Sequence, residues 1–290
     1  MSLAVLSIGS NLGDRAAHLA SAVTRLGSHA RVRVTATSRW HETAPAGCGP
    51  GQAPFLNAAL LVETSLDPLS LLDWTQEVER QGGRRRDEVW GARTIDVDMV
   101  LMDDLALCTP RLELPHPRCA YRRFMIEPAA EIAPDWIHPH LGWPLRRLDE
   151  FLRNAPRYVV ILGGTDEERE ALVRRVRQRV PLKWLRGDER LTRATARRWL
   201  AEAAESAESA EGAWLASEFW WNGLPVDEAP AAPPLIPKLV VQLDASNRSE
   251  VEACWRSAVE AGESGPRLEL RARDAARHVD ELVGALQSLD

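Results

Sequence analysis

Lysine is nearly absent from this chain of 290 residues, which contains only Lys183 and Lys238. Because no lysine precedes position 183, any phosphate bound in the first half must be held by arginine, backbone N–H groups or a metal ion. The same absence excludes a P-loop lysine and a Schiff-base lysine from that half.

Paired cysteines, long apolar runs and excess positive charge are lacking as well. The four cysteines form no CxxC pair, which argues against zinc and a disulfide framework and favours a reducing cytoplasm. A net charge of −6 gives no broad basic surface for nucleic acid. No run of about 18 apolar residues is present to span a membrane, and the start, MSLAVLSIGS, lacks the charged segment of a signal peptide. We therefore expect a cytoplasmic protein without nucleic-acid or membrane partners, whose oligomeric state the sequence does not predict.

The chain does contain enough residues for two domains of ordinary size. Its composition, 45% apolar and 27% charged, is typical of a soluble globular protein. After Asn154-Ala155-Pro156 the pattern restarts with a new apolar strand. We therefore predict one domain over residues 1–153 and a second over residues 154–290.

The most informative stretch is Trp90–Asp98, which reads WGARTIDVD. Apolar Ile95 and Val97 alternate with Asp96 and Asp98, which is the period of a half-buried strand. Side chains at i and i+2 point to one face, roughly 6.6 Å apart, so this carboxylate pair can share two divalent ions. Two solvated residues on an edge strand would give the same local pattern, and only the surrounding residues separate these interpretations.

Ordinary capping and turn signals predict the elements around this strand. Asp14 is a good N-cap, and Asp67-Pro68 begins a second helix. The predicted elements are, in order, a strand at Leu3–Ile8, a helix from Asp14 to Gly27, a strand at Val32–Ala36, a covering loop at His41–Pro54, a strand at Phe55–Val62, a helix from Asp67 to Val78, an extended segment at Arg111–Pro117 and a short helix after Met125.

Several side chains in these elements belong to types that bind nucleotides or flat heterocycles. Phe55 and Asn57 share a strand face and can stack on and hydrogen-bond a ring, although a core Phe and a strand-end Asn fit equally well. Gln76 and Glu79 lie at i and i+3 and are expected to project from one helix face. The run Arg84–Arg86 lies beside the carboxylate strand, where guanidiniums can pair with phosphate oxygens, although such runs are usually just solvated.

Histidine offers two further candidates. His116 stands between two prolines and is held stiffly, but a lone histidine is more often structural. His138-Pro139-His140 resembles a metal-binding pair only superficially, and we interpret it as a loop without a role.

Seven motifs, in order and spacing, closely resemble the 6-hydroxymethyl-7,8-dihydropterin pyrophosphokinase family of the folate pathway. They are Gly9-Ser10-Asn11-Leu12, Glu42-Thr43-Ala44-Pro45, Phe55-Leu56-Asn57-Ala58, Gln76 with Glu79, Trp90–Asp98, Leu114-Pro115-His116-Pro117 and Arg122-Arg123-Phe124. No single motif would suffice, but seven in register over about residues 3–152 are highly specific.

The resemblance implies a ferredoxin-like α+β fold for residues 1–153 and an ATP-dependent diphosphotransferase that moves pyrophosphate to the pterin's hydroxymethyl oxygen and releases AMP. It implies that Asp96 and Asp98 hold two Mg²⁺ ions on the ATP phosphates. The remaining implied roles are catalytic contacts to phosphate by Arg84, Arg93 and His116, ATP binding by Gln76, Glu79, Arg86, Arg111 and Arg122, and pterin binding by Thr43, Pro45, Phe55, Asn57, Trp90 and Phe124. No general base is identified besides His116 and the metal carboxylates.

Departures from the family pattern are modest. Ala92 stands where proline is usual, the loop between Arg84 and Trp90 is short, and Phe55 stands where tyrosine also occurs. Two other functions fit parts of the sequence. One is a regulatory protein that binds pterin or nucleotide without turnover; the intact pair Asp96 and Asp98 counts against it, because such a protein needs no metal ligands. The other is a two-domain nucleoside kinase, which requires a GK[ST] motif that the chain lacks.

Residues 154–290 alternate strands with helices, which predicts a parallel α/β sheet. The predicted elements are strands at Tyr158–Leu162, Leu239–Leu243 and Arg267–Leu270, a helix with the stripe Leu172, Val173, Val176 and Val180, an exposed helix at Ala194–Gly212, an extended connection at Pro225–Pro237, a helix at Asn247–Ala261 and a last helix with Val279, Val283 and Leu286. Its tryptophans are predicted to be core and domain-contact residues: Trp184, Trp199, Trp214, Trp220, Trp221 and Trp255.

The glycine turn after Leu162 gives this second domain a weak resemblance to P-loop nucleoside kinases. Aligned from Gly163, the positions that require Gly, Lys and Ser/Thr are Glu168, Arg169 and Glu170. Carboxylates at two of these positions would repel a triphosphate. The resemblance therefore implies a degenerate, catalytically silent scaffold or regulatory domain, with an active kinase and an unrelated function as alternatives.

Overall fold

A computed structural model of the chain describes residues 1–46, 51–84, 92–185, 214–218, 236–243, 265–270 and 275–289, together with residues 255 and 258. Apart from its last two residues, the chain divides into two compact units, residues 1–150 and residues 151–288. Both units contain strands and helices, which agrees with the two mixed α and β domains predicted from the sequence.

The first unit contains an antiparallel sheet, its helices and two short hairpin-like pairs. Its elements are β1 (Ser2–Ser10), α1 (Arg15–Leu26), β2 (Val32–Thr37), β3 (His41–Thr43), β4 (Phe55–Thr64), α2 (Pro68–Gln81), β5 (Asp96–Met102), β6 (Leu107–Cys108), β7 (Glu113–Leu114), a 3-10 turn (Cys119–Tyr121), α3 (Arg123–Ile132), β8 (Ile137–His138), β9 (Trp143–Pro144) and α4 (Leu145–Asn154), which crosses into the second unit.

The first two helices begin where the sequence predicts. The carboxylate of Asp14 accepts a hydrogen bond from the Ala17 N–H at 3.0 Å, which caps α1. Asp67 caps α2 in the same way by accepting from the N–H groups of Leu69 and Ser70, and Pro68 occupies the first helical position.

The main sheet of this unit has the strand order β2-β4-β1-β5, with β3 also pairing with β4. All of these pairs are antiparallel. Alternate residues of β1 pack with α1 and α2 in one apolar cluster, because strand side chains at i and i+2 share a face. That cluster includes Ala4, Leu6, Ile8, Leu19, Leu26, Leu71 and Val78. The opposite face carries the polar side chains of Ser7, Asn57 and Asp98 together with buried apolar residues such as Val5 and Ala59.

Two loop predictions in this unit are wrong in part. His41–Thr43, expected to open the covering loop, is β3 and pairs with the first residues of β4. His138 lies in β8 opposite Trp143 and is buried. Strands of two or three residues are too short to produce a period that can be recognised in sequence.

The second unit contains a parallel sheet with the order β11-β12-β10-β13-β14. Its elements are β10 (Tyr158–Leu162), α5 (Asp166–Val176), β11 (Leu182–Leu185), β12 (Trp214–Ser217), β13 (Leu239–Leu243), β14 (Arg267–Leu270) and α6 (Ala275–Leu289). Every pair in this sheet is parallel, which confirms the predicted parallel arrangement. The strand β10 is a continuous apolar run and β13 is apolar apart from the buried Gln242, as expected for strands buried on both faces.

The helical stripe of the second unit is confirmed, since Leu172, Val173 and Val176 of α5 are buried. Trp214 is fully buried, as predicted for a core tryptophan. The predicted helix at Ala194–Gly212 and most of the predicted segments at Pro225–Pro237 and Asn247–Ala261 lie outside the described residues. Among the described helices, none combines the length and the apolar character needed to cross a bilayer.

Candidate active site

The register of the main sheet places three of the predicted site positions on one face. Gly9 of β1 pairs with Asn57 of β4 on one side and with Asp96 of β5 on the other. Ser7 pairs with Asp98, so both carboxylates lie on the face that carries Asn57. Because neighbouring strands are about 4.8 Å apart, the amide and the carboxylate pair are separated by roughly 10 Å.

Glycine at position 9 keeps the space between these groups open. A Cβ there would lie 2.6 Å from Asn57 Oδ1 and 3.8 Å from the nearest ring atom of Phe55. The side chains of β4 can therefore extend over β1 toward the carboxylates.

Two arginines converge on Asp96. Arg84, just after α2, donates from Nη1 to Asp96 Oδ1, and Arg93, three residues before the carboxylate, donates to Asp96 Oδ2. Burial raises the pKa of Asp96, but the positive charges of Arg93 and Arg84 outweigh it and hold that pKa below its usual value. The structure thus brings together three of the predicted catalytic residues.

Asp98 has the opposite electrostatic balance. Burial, with the nearby charge of Asp96, raises the pKa of Asp98 to about 7, and Arg122 and Arg93 offset this only in part. A carboxylate in this state is stabilised by any further positive charge that comes close. The pair therefore has one carboxylate neutralised by arginines and one that attracts a cation.

His116 lies near Asp96 as a neutral ring. Burial, together with the charges of Arg122 and Arg118, lowers its pKa to about 3. Its Nδ1 accepts a hydrogen bond from the Arg118 backbone N–H at 3.1 Å, so the neutral ring carries its proton on Nε2. His116 is thereby suited to donate a hydrogen bond from Nε2 and is a weak base.

The residues predicted to bind the nucleotide differ from one another in burial and in their partners. Arg122 lies close enough to both carboxylates to influence their charge, and its guanidinium is 5.4 Å from the centre of the Phe124 ring. Arg111 is exposed and forms an ion pair with Asp73 of α2. Gln76 is exposed whereas Glu79 is 4% exposed, so these two side chains do not share one environment as predicted.

The predicted pterin-binding residues lie around the β3–β4 end of the sheet face. Asn57 is buried and donates from Nδ2 to Thr43 Oγ1 at 2.8 Å, which fixes the orientation of the amide. Phe55 and Pro45 are half-buried there, and Phe124 at the start of α3 is half-buried as well. Arg86 and Trp90 lie outside the described residues.

Sequence reasoning gave no individual role to Asn11, which the structure connects to the site. Its Oδ1 accepts from the Arg93 N–H at 2.7 Å, its own N–H donates to the Arg93 carbonyl, and its Nδ2 donates to Gln52 Oε1 at 3.0 Å. This residue joins the segment carrying Arg93 to the end of β1. Its position just beyond the end of β1, two residues after Gly9, is the signal from which such a contact is inferred.

The arrangement as a whole has the charged and polar groups that could take a polyphosphate and a cation beside a flat polar ring. The guanidiniums of Arg84 and Arg93 lie on either side of the Asp96 carboxylate. The amide of Asn57, with its aromatic neighbours, lies on the same sheet face. Among the described residues, no group of three or more His, Cys, Asp or Glu side chains is arranged to hold a metal on its own.

Comparison with known proteins agrees with this class of site. The family model described as 7,8-dihydro-6-hydroxymethylpterin-pyrophosphokinase (HPPK) matches residues 5–134. The 2-amino-4-hydroxy-6-hydroxymethyldihydropteridine pyrophosphokinase of Bacillus subtilis (strain 168) is 45% identical over 130 residues, which are 45% of this chain and 77% of that protein. The protein of the same name from Methylorubrum extorquens is 42% identical over 137 residues, 47% of this chain and 86% of that one.

Identity at this level over most of each relative shows the family, and the chain belongs to the HPPK family. A solved structure, the Plasmodium falciparum HPPK-DHPS wild type with SDX-DHP, is also similar, at 11% identity and a TM-score of 0.43, covering 99% of this chain and 79% of that one. A similarity of that size supports no conclusion about this chain.

Proposed function

We propose that this chain transfers pyrophosphate from ATP to 6-hydroxymethyl-7,8-dihydropterin and releases AMP and the pterin diphosphate, a step of folate biosynthesis. The hydroxymethyl oxygen forms a bond to the β-phosphorus, the bond from that phosphorus to the α,β-bridging oxygen breaks, AMP leaves with that oxygen, and the hydroxyl proton passes to solvent. The observation that carries the proposal is the pair Asp96 and Asp98 beside Arg84 and Arg93, in a chain that belongs to this family.

The two carboxylates fit Mg²⁺ as ligands. Mg²⁺ is usually bound by one or two carboxylates together with substrate phosphates and water, and two aspartates on one strand face match that donor set. Burial and the nearby charge of Asp96 raise the pKa of Asp98, and a cation beside the pair would offset both effects. We propose that Asp96 and Asp98 hold two Mg²⁺ ions, which when bound neutralise the phosphates and expose the β-phosphorus to attack.

The remaining positive charge comes from arginine, because the first half has no lysine. Ion pairs with Asp96 fix the guanidiniums of Arg84 and Arg93. Phosphate oxygens would compete with that carboxylate for them. Arg122 adds charge beside Asp98, and His116 donates from Nε2 to a phosphate oxygen. Little covalent chemistry is required of these side chains, which position the substrates and stabilise charge.

The adenosine part of ATP has fewer fixed contacts in this proposal. Gln76 and Arg111 are exposed and accessible to a nucleotide, and Arg111 would exchange its contact with Asp73 for one with ATP. Arg86, outside the described residues, is proposed as a further phosphate ligand.

The pterin ring is proposed to lie over Gly9. Asn57 would hydrogen-bond the ring edge while Thr43 holds the amide in place, and Phe55 with Phe124 would provide the stacking faces. Pro45 would line the rim, and Trp90, outside the described residues, would cover the site. The roughly 10 Å between Asn57 and Asp96 is suited to a bicyclic ring whose hydroxymethyl group points at the phosphates.

Replacing Gly9 by alanine tests this placement. Because the new Cβ would meet Asn57 Oδ1, we expect the KM for the pterin to rise about tenfold or more, equivalent to about 1.4 kcal/mol. The KM for ATP should change less than twofold. Steady-state kinetics on Gly27→Ala provides the control, since a Cβ at that helix end meets its nearest neighbour at 3.6 Å. An unchanged pterin KM in Gly9→Ala would contradict the proposed ring position.

The reaction itself is tested with full-length protein, ATP, Mg²⁺ and the pterin alcohol. We expect AMP to appear in proportion to the pterin diphosphate, with no nucleotide product when either the pterin or Mg²⁺ is left out. ADP as the nucleotide product would contradict the mechanism. Tight pterin binding by calorimetry without any AMP would favour the regulatory alternative instead.

We also propose the finer fold assignments and a boundary near residues 153 and 154. The strand order in the sheet is β2-β4-β1-β5. Along the chain, α1 connects β1 to β2 and α2 connects β4 to β5, which supports a ferredoxin-like first domain. Counted from β10, the second sheet has the order 2-3-1-4-5 with a glycine turn after its central first strand, which supports a P-loop-kinase-like architecture.

The glycine turn of that second domain supports a catalytically silent role. Arg169 donates to the carbonyls of Gly163 and Gly164 at 2.8 and 2.9 Å, so its guanidinium is committed to the turn. Thr165 and Glu168 form a reciprocal capping box that uses two N–H groups at the start of α5. In a P-loop such N–H groups face phosphate instead. Phosphorylation of a nucleoside by the full-length chain would contradict the silent role.

A further inference from the structure

The outer edge of β5 carries a contact that connects three parts of the site. β5 lies at the end of the sheet order and pairs with β1, and no other strand in the described part of the chain pairs with its far side. Backbone N–H groups on such an edge need partners from elsewhere. The Val97 N–H, which points away from β1, donates to Glu79 Oε1 at 2.9 Å.

The same carboxylate oxygen of Glu79 also accepts from Arg84 Nη1. The Glu79 carbonyl in turn accepts from the Arg84 backbone N–H at 3.1 Å, so both ends of Arg84 are held by one residue. Gly82 allows this close approach of α2 to the strand, since a Cβ there would lie 2.5 Å from Ile95 Cγ2.

Val97 is the residue between the two carboxylates. Its N–H fixes the strand at the point from which Asp96 and Asp98 project, and Arg84 is the arginine that pairs with Asp96. One buried side chain on α2 thus determines the position of a carboxylate pair and of an arginine that come from two other segments.

We infer that Glu79 is a positioning residue that fixes β5 and Arg84 relative to each other, and that it does not contact ATP. The inference deepens the proposed pyrophosphate transfer and rests on it. Glu79 is 4% exposed and its Oε1 is already used twice, which leaves it poorly placed for the nucleotide contact predicted from the sequence. A carboxylate is required because it accepts from a backbone N–H and balances the arginine charge at once.

Three variants of the full-length protein test this role: Glu79→Ala, Glu79→Gln and, as a matched control, Glu77→Ala. We expect Glu79→Ala to lower kcat for AMP formation by roughly 10²-fold, the loss typical of a misplaced catalytic group. Glu79→Gln keeps an oxygen acceptor for Val97 but loses the charge facing Arg84, and should lose roughly tenfold. The pterin KM should stay within about twofold, because the proposed ring contacts lie on β4. Glu77, two residues earlier on α2, pairs with Arg80 on the surface, and its variant should be fully active.

A double-mutant cycle separates positioning from a general loss of structure. If Glu79 acts largely through Arg84, Glu79→Ala should cost less than roughly tenfold in an Arg84→Ala background. Equal costs in both backgrounds would overturn this part of the inference. The concentration of Mg²⁺ for half-maximal rate should rise in Glu79→Ala and not in Glu77→Ala.

Amide hydrogen exchange at Val97 gives a readout that does not depend on activity. We expect exchange to accelerate at least tenfold in Glu79→Ala and to stay close to wild type in Glu79→Gln. Unchanged exchange in Glu79→Ala, or full activity of that variant beside an active wild type, overturns the inference. A wild type that forms no AMP refutes the proposed function instead, and the Val97 exchange still decides whether the Glu79 contact exists.

Discussion

Replacing Asp96 or Asp98 by alanine is expected to lower the rate of AMP formation by about 10³-fold or more. Each change removes a proposed Mg²⁺ ligand, and the charge of a triphosphate is then left without its main counterion. A loss of 10³-fold corresponds to about 4 kcal/mol of transition-state stabilisation.

The two positions should differ in their effect on stability, and this difference tests the electrostatics. Asp96→Asn removes the charge that Arg84 and Arg93 share and leaves Arg84 with Glu79 alone, and we expect the free energy of unfolding to fall by about 1–3 kcal/mol. Asp98→Asn removes a charge that burial and Asp96 already disfavour, so the protein should be as stable as wild type or more stable.

Thermal unfolding without Mg²⁺ measures the stability difference, and AMP formation measures the activity. Asp104→Asn is the control, because Asp104 is an exposed residue beyond the end of β5. A folded double variant of Asp96 and Asp98 that still releases AMP would refute the metal role of this pair.

Replacing Arg93 by alanine is the second large effect that we expect. Its guanidinium pairs with Asp96, and its backbone is held on both sides by Asn11. Without lysine in this half of the chain, few other groups can neutralise a phosphate. We expect kcat/KM to fall by roughly 10²–10³-fold, because electrostatic stabilisation by a positioned group contributes on that order.

Arg93→Lys distinguishes charge from geometry. A lysine keeps the charge but loses the planar pair of donors, so it should recover only part of the activity. Arg80→Ala is the control, since Arg80 pairs with Glu77 on the surface of α2. If Arg93→Ala keeps the activity of Arg80→Ala, Arg93 has no part in the transition state.

Long elements with clear periods could be predicted from the sequence. β1 is a largely apolar run, α1 and α2 begin at side-chain caps, and the structure places all three within a few residues of the predicted bounds. β3 and β8 could not be predicted, because strands of two or three residues depend on their partners. Register is likewise set by tertiary pairing, so the row formed by Asn57, Gly9 and Asp96 is visible only in the structure.

Residue types at the candidate site could also be predicted, but their contacts could not. Arg84, Arg93 and Asp96 do come together, as expected from residues that surround one strand. The role of Glu79 depends on a backbone N–H at a sheet edge, which no pattern of side chains reveals. The helical spacing of Gln76 and Glu79 predicts one shared role, but in the structure Gln76 is exposed and Glu79 is buried.

The most direct test of the account follows the β-phosphorus of ATP. Full-length protein is incubated with Mg²⁺, the pterin alcohol and ATP labelled with ³²P at the β position, and the nucleotide and pterin products are separated. We predict that the label leaves the nucleotide and is recovered in the pterin diphosphate, with unlabelled AMP as the other product. Label recovered in ADP would show transfer of a single phosphoryl group and would contradict pyrophosphate transfer by this site.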